Sequence, residues 1–187
     1  LVRGTALSDI GLTDAPFLLY VGSRAHYKNF AAMITAYGRW KGSRDVRLVV
    51  VGPDWTLDEL NSIEDLGIED RVDLLSIVDD DTLCVLYNHA LAFVYPSLYE
   101  GFGIPLLEAM ACGCPVIASK IDTAVEVAGD CPIYFDLEHN DSMIAAFDVA
   151  MNEGRKSPRT RRGIQHAGKF SWDKCARGTL EVYRSLV

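Results

Sequence analysis

The sequence predicts an α/β domain built on a doubly wound parallel sheet of about six strands. Three observations carry this reading. Strand-like and helix-like stretches alternate along almost the whole chain. The strand-like runs are continuously apolar rather than alternating, as in a parallel sheet buried on both faces. And 187 residues, 49% hydrophobic and 24% charged, fit one large domain able to bury roughly 70% of its unfolded surface.

The elements follow in order. Phe17-Leu18-Leu19-Tyr20-Val21-Gly22 is the first strand and leads to a helix from about Asn29 to Trp40. The run from Val46 to Gly52 is the second strand, followed by a helix over Leu57 to Leu66. Val72 to Leu75 is the third, with a helix over Asp81 to Asn88. Leu91 to Tyr95, Pro115 to Ser119 and Ile133 to Phe135 are the fourth, fifth and sixth. From Ser142 onward the chain reads as helix in three pieces, broken at Glu153-Gly154-Arg155-Lys156-Ser157-Pro158, where Ser157 is an N-cap and Pro158 a first helical position. No internal repeat or low-complexity tract interrupts this order. The chain opens on Leu1 and a weakly patterned segment, which reads as the cut end of a longer polypeptide.

The totals exclude several functions. A net charge of −8 argues against nucleic acid, whose phosphate backbone needs a basic face. No apolar run approaches the roughly 20 residues that span a bilayer, and the N-terminus is not a signal peptide. The five cysteines, Cys84, Cys112, Cys114, Cys131 and Cys175, are odd in number and lack Cys-x-x-Cys spacing. They read as reduced structural thiols of a cytosolic protein rather than metal ligands.

Ligands of open α/β sheets sit beyond the carboxyl ends of the strands, where the strand order switches. After Val21 comes Gly22-Ser23-Arg24-Ala25-His26-Tyr27-Lys28-Asn29, which places Arg24 and Lys28 at the entry to a helix. Cations there oppose the helix dipole, so an anion held between them is one reading and two solvated surface cations the other. His26 reads as a loop residue. After Tyr95 the chain runs Pro96-Ser97-Leu98-Tyr99-Glu100-Gly101-Phe102-Gly103-Ile104-Pro105 into a helix that carries Glu108. Gly101 and Gly103 would allow φ > 0 and close approach of a ligand. Helical side chains lean toward the N-terminus, so Glu108 would lean back to the crevice that Glu100 faces. Two carboxylates so placed suit the clamping of sugar hydroxyls. The plainer readings are a first-turn acid that complements the dipole and a solvated loop residue. Asp79-Asp80-Asp81 formally contains an Asp-x-Asp metal signature, but its place before a helical run reads as capping. Phe170 and Trp172, flanking the cap Ser171, read as packing residues.

At this point a family resemblance emerges. Tyr95-Pro96-Ser97-x-x-Glu100-Gly-Phe-Gly-x-Pro-x-x-Glu108-Ala-Met-Ala-x-Gly-x-Pro-Val-Ile-Ala-Ser119 resembles the signature of the large retaining glycosyltransferase family 4, also called group 1, which includes mannosyltransferases. Tyr20-Val21-Gly22 with Lys28-Asn29, Val50-Val51-Gly52, Glu126-Val-Ala-Gly129-Asp130, Phe170-Ser171-Trp172 and Val182-Tyr183 extend the likeness.

The resemblance implies a Rossmann-like, donor-binding C-terminal half of a two-domain GT-B enzyme. Residues 1–187 would be this one domain, with 1–15 an interdomain linker and 157–187 the C-terminal helices. It implies that Lys28 and Arg24 stabilise the leaving diphosphate, although Ser23 stands where many relatives have the arginine. It assigns Glu100 to the sugar hydroxyls, Glu108 to the ribose, and the backbone near Gly22, Gly101, Phe102 and Gly103 to the sugar and phosphates. The loop near Val78 would line the base, with Ser76 where relatives usually have glycine. The implied reaction is metal-independent, retaining transfer of a hexose from a nucleoside diphosphate to a hydroxyl. The acceptor would be held by an N-terminal domain, so the isolated chain would bind donor but turn over little. No cofactor is implied beyond the donor, for which the Tyr27-Lys28-Asn29 loop favours GDP-mannose. A sugar-nucleotide epimerase and a non-catalytic sugar-nucleotide-binding module are the alternatives. The expected setting is cytoplasmic, free or peripheral to the inner face of the membrane.

Overall fold

Six parallel strands form one sheet in the order β3-β2-β1-β4-β5-β6. In chain order the elements are β1 (Phe17–Val21), α1 (Phe30–Arg39), β2 (Arg47–Val51), α2 (Leu57–Asp65), β3 (Val72–Leu75), α3 (Asp80–His89) and β4 (Ala92–Tyr95). They continue as α4 (Ile104–Ala111), β5 (Val116–Ser119), α5 (Asp122–Ala128), β6 (Ile133–Phe135), α6 (Ser142–Glu153), α7 (Pro158–Ala167) and α8 (Trp172–Ser185). The computed structural model describes residues 7–139 and 141–186.

The apolar runs become strands because both of their faces are covered. Successive side chains point to opposite sides of a sheet. Leu19, Val49, Phe93 and Ala118 accordingly join one buried cluster with residues of α3, α4 and α5. Their neighbours Leu18, Val50, Val94 and Ile117 join a second cluster with residues of α1, α2 and α6. The helices start where the sequence supplies acceptors. Thr56 and Glu59 form a reciprocal capping box on α2, and Asp79 accepts from the Thr82 amide at 2.8 Å. Ser157 and Ser171 cap α7 and α8 in the same way.

Two features, α5 and Trp172, depart from the sequence reading. α5 has no counterpart in it. Of the segment 1–15, residues 1–6 lie outside the described residues, whereas Leu7 and Leu12 are buried in the cluster that includes Val85 and Leu86. Trp172 is 76% exposed, and no described residue of α8 is buried, while Phe170 meets Phe102 at a ring separation of 6.2 Å.

The break before α7 is pinned in place. Arg155 donates to the carbonyls of Tyr87, Ala90 and Cys112 at 2.8–3.0 Å. It thereby satisfies acceptors left open at the C-terminal ends of α3 and α4.

Candidate active site

β1 and β4 are neighbours in the sheet but not in the sequence. From β1 the chain winds outward through β2 and β3, and it resumes on the other side at β4. The switch of strand order therefore lies between them, and the loops leaving their carboxyl ends are Gly22–Asn29 and Pro96–Gly103. A backbone hydrogen bond from Leu98 to the Tyr27 carbonyl, 2.7 Å long, ties one loop to the other.

Lys28 ends a single 3-10 turn, and Asn29, at φ +55°, swings the chain from it into α1. The Lys28 Nζ lies 2.6 Å from Glu100 Oε1. It also sits 5.3 Å and 5.8 Å from the ring centres of Tyr27 and Tyr95. Ser97 Oγ donates to the same carboxylate oxygen at 2.7 Å. From α5, Thr123 Oγ1 donates to the Glu100 carbonyl at 2.9 Å. Side chain and backbone of Glu100 are thus both held, and the two loops meet in one ion pair with side chains only 17% and 12% exposed.

Arg24 is placed elsewhere. Its Nε lies 2.6 Å from Glu59 Oε1, and its Nη2 donates to Glu59 Oε2 at 3.1 Å and to the Asp54 carbonyl at 2.7 Å. The guanidinium stacks 4.5 Å from the Trp55 ring centre, and the side chain is 3% exposed. A Cβ at Gly52 would collide with the Gly22 carbonyl and lie 3.0 Å from Arg24 Nη1, so only glycine lets the two strand-end loops pack this closely. The structure therefore separates the two cations. Lys28 faces Glu100, and Arg24 braces the loop from behind.

Glu108 is exposed on α4, and its Oε2 accepts from the Tyr87 hydroxyl at 3.3 Å. Burial, reinforced by the Glu108 charge, raises the Tyr87 phenol far above its ordinary pKa, so it stays a donor. Tyr87, Phe93 and Tyr95 form a row of rings with centres 5.4 Å and 6.0 Å apart. This row runs beneath the sheet-end crevice from the Glu108 side to the Glu100 side.

The glycine loop is only partly as expected. Gly103 adopts φ +105° as the N-cap of α4, and a Cβ there would press on Leu106 at 3.0 Å. Gly101 has no positive φ and open space about its Cβ position, so what it leaves is room rather than a special turn. Phe102 is 45% exposed. Gly22 sits at φ +135° and donates to the Val51 carbonyl at 2.9 Å. Val78 is half-buried against the apolar cluster under α3, and its neighbour Ile77 is 95% exposed at the crest of the loop. The sequence reading missed Ser97, Thr123, Tyr87, Tyr95 and Glu59. Of these, Tyr95 and Ser97 stand in the signature without an assigned role, Glu59 has a local signal in the Thr56-x-x-Glu59 capping box, and Thr123 and Tyr87 have none.

A cavity of about 380 Å³ lies apart from this site, between α1 and the segment after β6. Its ionisable groups already have partners, Arg39 beside Asp141 and His139 beside Asp136. It therefore offers no free convergent group comparable to the Lys28–Glu100 crevice.

Residues 8–162 match the family described as glycosyl transferases group 1. The chain belongs to this family. Among relatives of this group 1 chain, O-antigen chain mannosyltransferase B of Escherichia coli is 34% identical over 175 residues, which are 91% of this chain and 46% of that protein. O-antigen chain mannosyltransferase RfbU of Salmonella typhimurium is 35% identical over 130 residues, 70% of this chain and 37% of that protein. Sucrose-phosphate synthase from Thermosynechococcus elongatus superposes with a TM-score of 0.81 at 25% identity, over 96% of this chain and 48% of that one. The group 1 chain thus spans less than half the length of each. No helix among its described residues is long and apolar enough to cross a membrane.

Proposed function

We propose that this chain is the donor-binding half of a retaining hexosyltransferase that uses a nucleoside diphosphate hexose. The observation that carries the reading is the Lys28–Glu100 pair at the switch of strand order, 2.6 Å long and shared between the two loops that flank the crevice. One pair supplies both chemistries a sugar nucleotide needs, a cation for the diphosphate and a carboxylate for hydroxyls.

In this reading Lys28 turns to the diphosphate and stabilises the charge that grows as the sugar departs. Glu100 accepts from the sugar hydroxyls and Glu108 from the ribose. The backbone of Gly22, Gly101, Phe102 and Gly103 lies against sugar and phosphates, and the loop of Ile77 and Val78 against the base. Arg24 contributes by fixing the β1 loop through Glu59. Asp79 is already engaged as a helix cap, and transfer is expected to proceed unchanged in EDTA. The likeness to O-antigen chain mannosyltransferases supports mannose as the hexose, and GDP-mannose is the donor this reading favours. The acceptor half is expected to cover the exposed Tyr99 and the apolar residues of α8, including Trp172 and Tyr183.

Calorimetry of the chain with GDP, UDP, ADP and their hexose conjugates tests the reading. Saturable binding of one pair, tightest for GDP and GDP-mannose, is expected. No binding of any at millimolar concentration would sink it.

A further inference from the structure

The row of rings behind the site ends unevenly. At one end the Tyr87 hydroxyl donates to Glu108. At the other, Tyr95 is 3% exposed, and its hydroxyl is buried with no hydrogen-bond partner among the described residues. Glu100 and Ser97 lie near enough to perturb this phenol. Burial foremost, and then the Glu100 charge, push it well above its ordinary pKa, yet neither contact closes into hydrogen-bonding geometry. A buried hydroxyl left unpaired is costly, and such groups ask for an explanation. This one lies directly under the glycine loop, 3.5 Å from where a Cβ of Gly103 would stand.

The demands on Glu100 supply the explanation. Its Oε1 already serves Lys28 and Ser97. A bare diphosphate leaves that arrangement workable, because an ammonium has three donors and can bridge carboxylate and phosphate. A sugar does not, since its hydroxyls draw the carboxylate away from Lys28. A carboxylate so little exposed then needs another donor from the protein side.

We propose that Tyr95 is a positioning residue for Glu100, donating to its carboxylate when the donor sugar is bound and so aiming it at the sugar hydroxyls. This rests on the donor reading above. Tyr95 would then do for Glu100 what Tyr87 does for Glu108, with the difference that its hydrogen bond tightens only in the complex.

The test is Tyr95→Phe in the full chain, with thermal unfolding and calorimetry against GDP and GDP-mannose, or whichever nucleotide pair the unaltered chain binds. Phenylalanine keeps the ring and deletes the unpaired atom. The variant should melt at or above the parent temperature and bind the bare diphosphate within about twofold of the parent. It should bind the sugar nucleotide about tenfold or more weakly, the loss expected of one hydrogen bond to a charged group. Equal weakening toward both ligands, with a lower melting temperature, would assign Tyr95 to packing and overturn the proposal. Unchanged affinity for the sugar nucleotide would overturn it as well. If the unaltered chain binds neither ligand, the donor reading itself falls and takes this proposal with it.

Discussion

Arg24 and Glu59 stand 35 residues apart in sequence and 2.6 Å apart in the structure, in a pair backed by the Trp55 ring. The contact joins the loop after β1 to the N-terminal turn of α2, because Glu59 Oε2 also accepts from the Thr56 amide at 2.8 Å. One carboxylate thus closes a capping box and anchors the loop that presents Lys28.

Arg24→Ala is therefore expected to act mainly on stability. Removing Arg24 leaves the part-buried Glu59 carboxylate without its cation, at a cost of about 1–3 kcal/mol. Replacing both, as Arg24→Met with Glu59→Gln, should recover much of that loss. Denaturant unfolding of the three variants checks this. A large fall in kcat of the full-length enzyme with unchanged stability would instead put Arg24 at the diphosphate.

The same pair sets a pH response. Burial acts to raise the Glu59 carboxyl, but hydrogen bonds from Arg24 and Thr56 outweigh it and hold the pKa below the ordinary 4.5. A carboxylate depressed in the folded state stabilises the protein above its unfolded pKa. That contribution fades as pH falls through the folded value. Stability should thus decline on acidification below about pH 4.5, and Glu59→Gln should flatten that part of the unfolding profile. A profile identical in the variant would remove Glu59 from the acid response.

Lys28→Ala in the full-length enzyme should lower kcat by about 10²-fold or more, the scale seen when one group that stabilises developing charge is lost. Lys28 also neutralises Glu100, so Lys28→Ala with Glu100→Gln separates the two roles. Because Glu100→Gln alone also weakens the grip on the sugar, the double variant is compared with that single variant: if neutralisation were all that mattered, the two would turn over alike. Steady-state kinetics decide, and a change confined to KM would take Lys28 out of the chemical step.

Much of this architecture was legible because local and tertiary demands agree. The strands begin and end within about a residue of the apolar runs, and Gly22, Gly52, Pro96 and Asp136 close four of the six where pairing stops. α5 was not legible. It is seven residues long, its N-cap Ile121 makes no side-chain cap, and tertiary contacts rather than local signals hold it. The site divides along the same line. Lys28 and Glu100 stand out on the loops that leave strands, and Glu108 stands out in the first turns of the helix that follows one of them, whereas the partner of Arg24 lies 35 residues away. Tyr95 reads from sequence as the last residue of a buried strand and the first of the signature, with no role of its own. Only the structure exposes its hydroxyl as unpaired.

The thiols should differ sharply in reactivity. Burial, followed by the nearby Cys84, pushes Cys112 up to about 12, and burial pushes Cys114 up to about 12 despite Arg155. Cys175 is exposed on α8. Thiolate is the nucleophile, so iodoacetamide at pH 8 should modify Cys175 first and Cys114 last, as read by peptide mass mapping. Early modification of Cys114 would mean that its helix end opens readily.

The Lys28–Glu100 pair also bears on how a donor first arrives. A cation already cancelled by its neighbour projects little field beyond a few ångströms, and the chain around it carries −8. A diphosphate approaching this chain is not steered inward from afar; it meets a surface that on balance repels it. Recognition in that reading begins only at contact, where the incoming phosphate takes up donors of the Lys28 ammonium that Glu100 leaves free. Ions in the medium, which screen long-range repulsion over about 8 Å at physiological strength, would assist that encounter instead of hindering it.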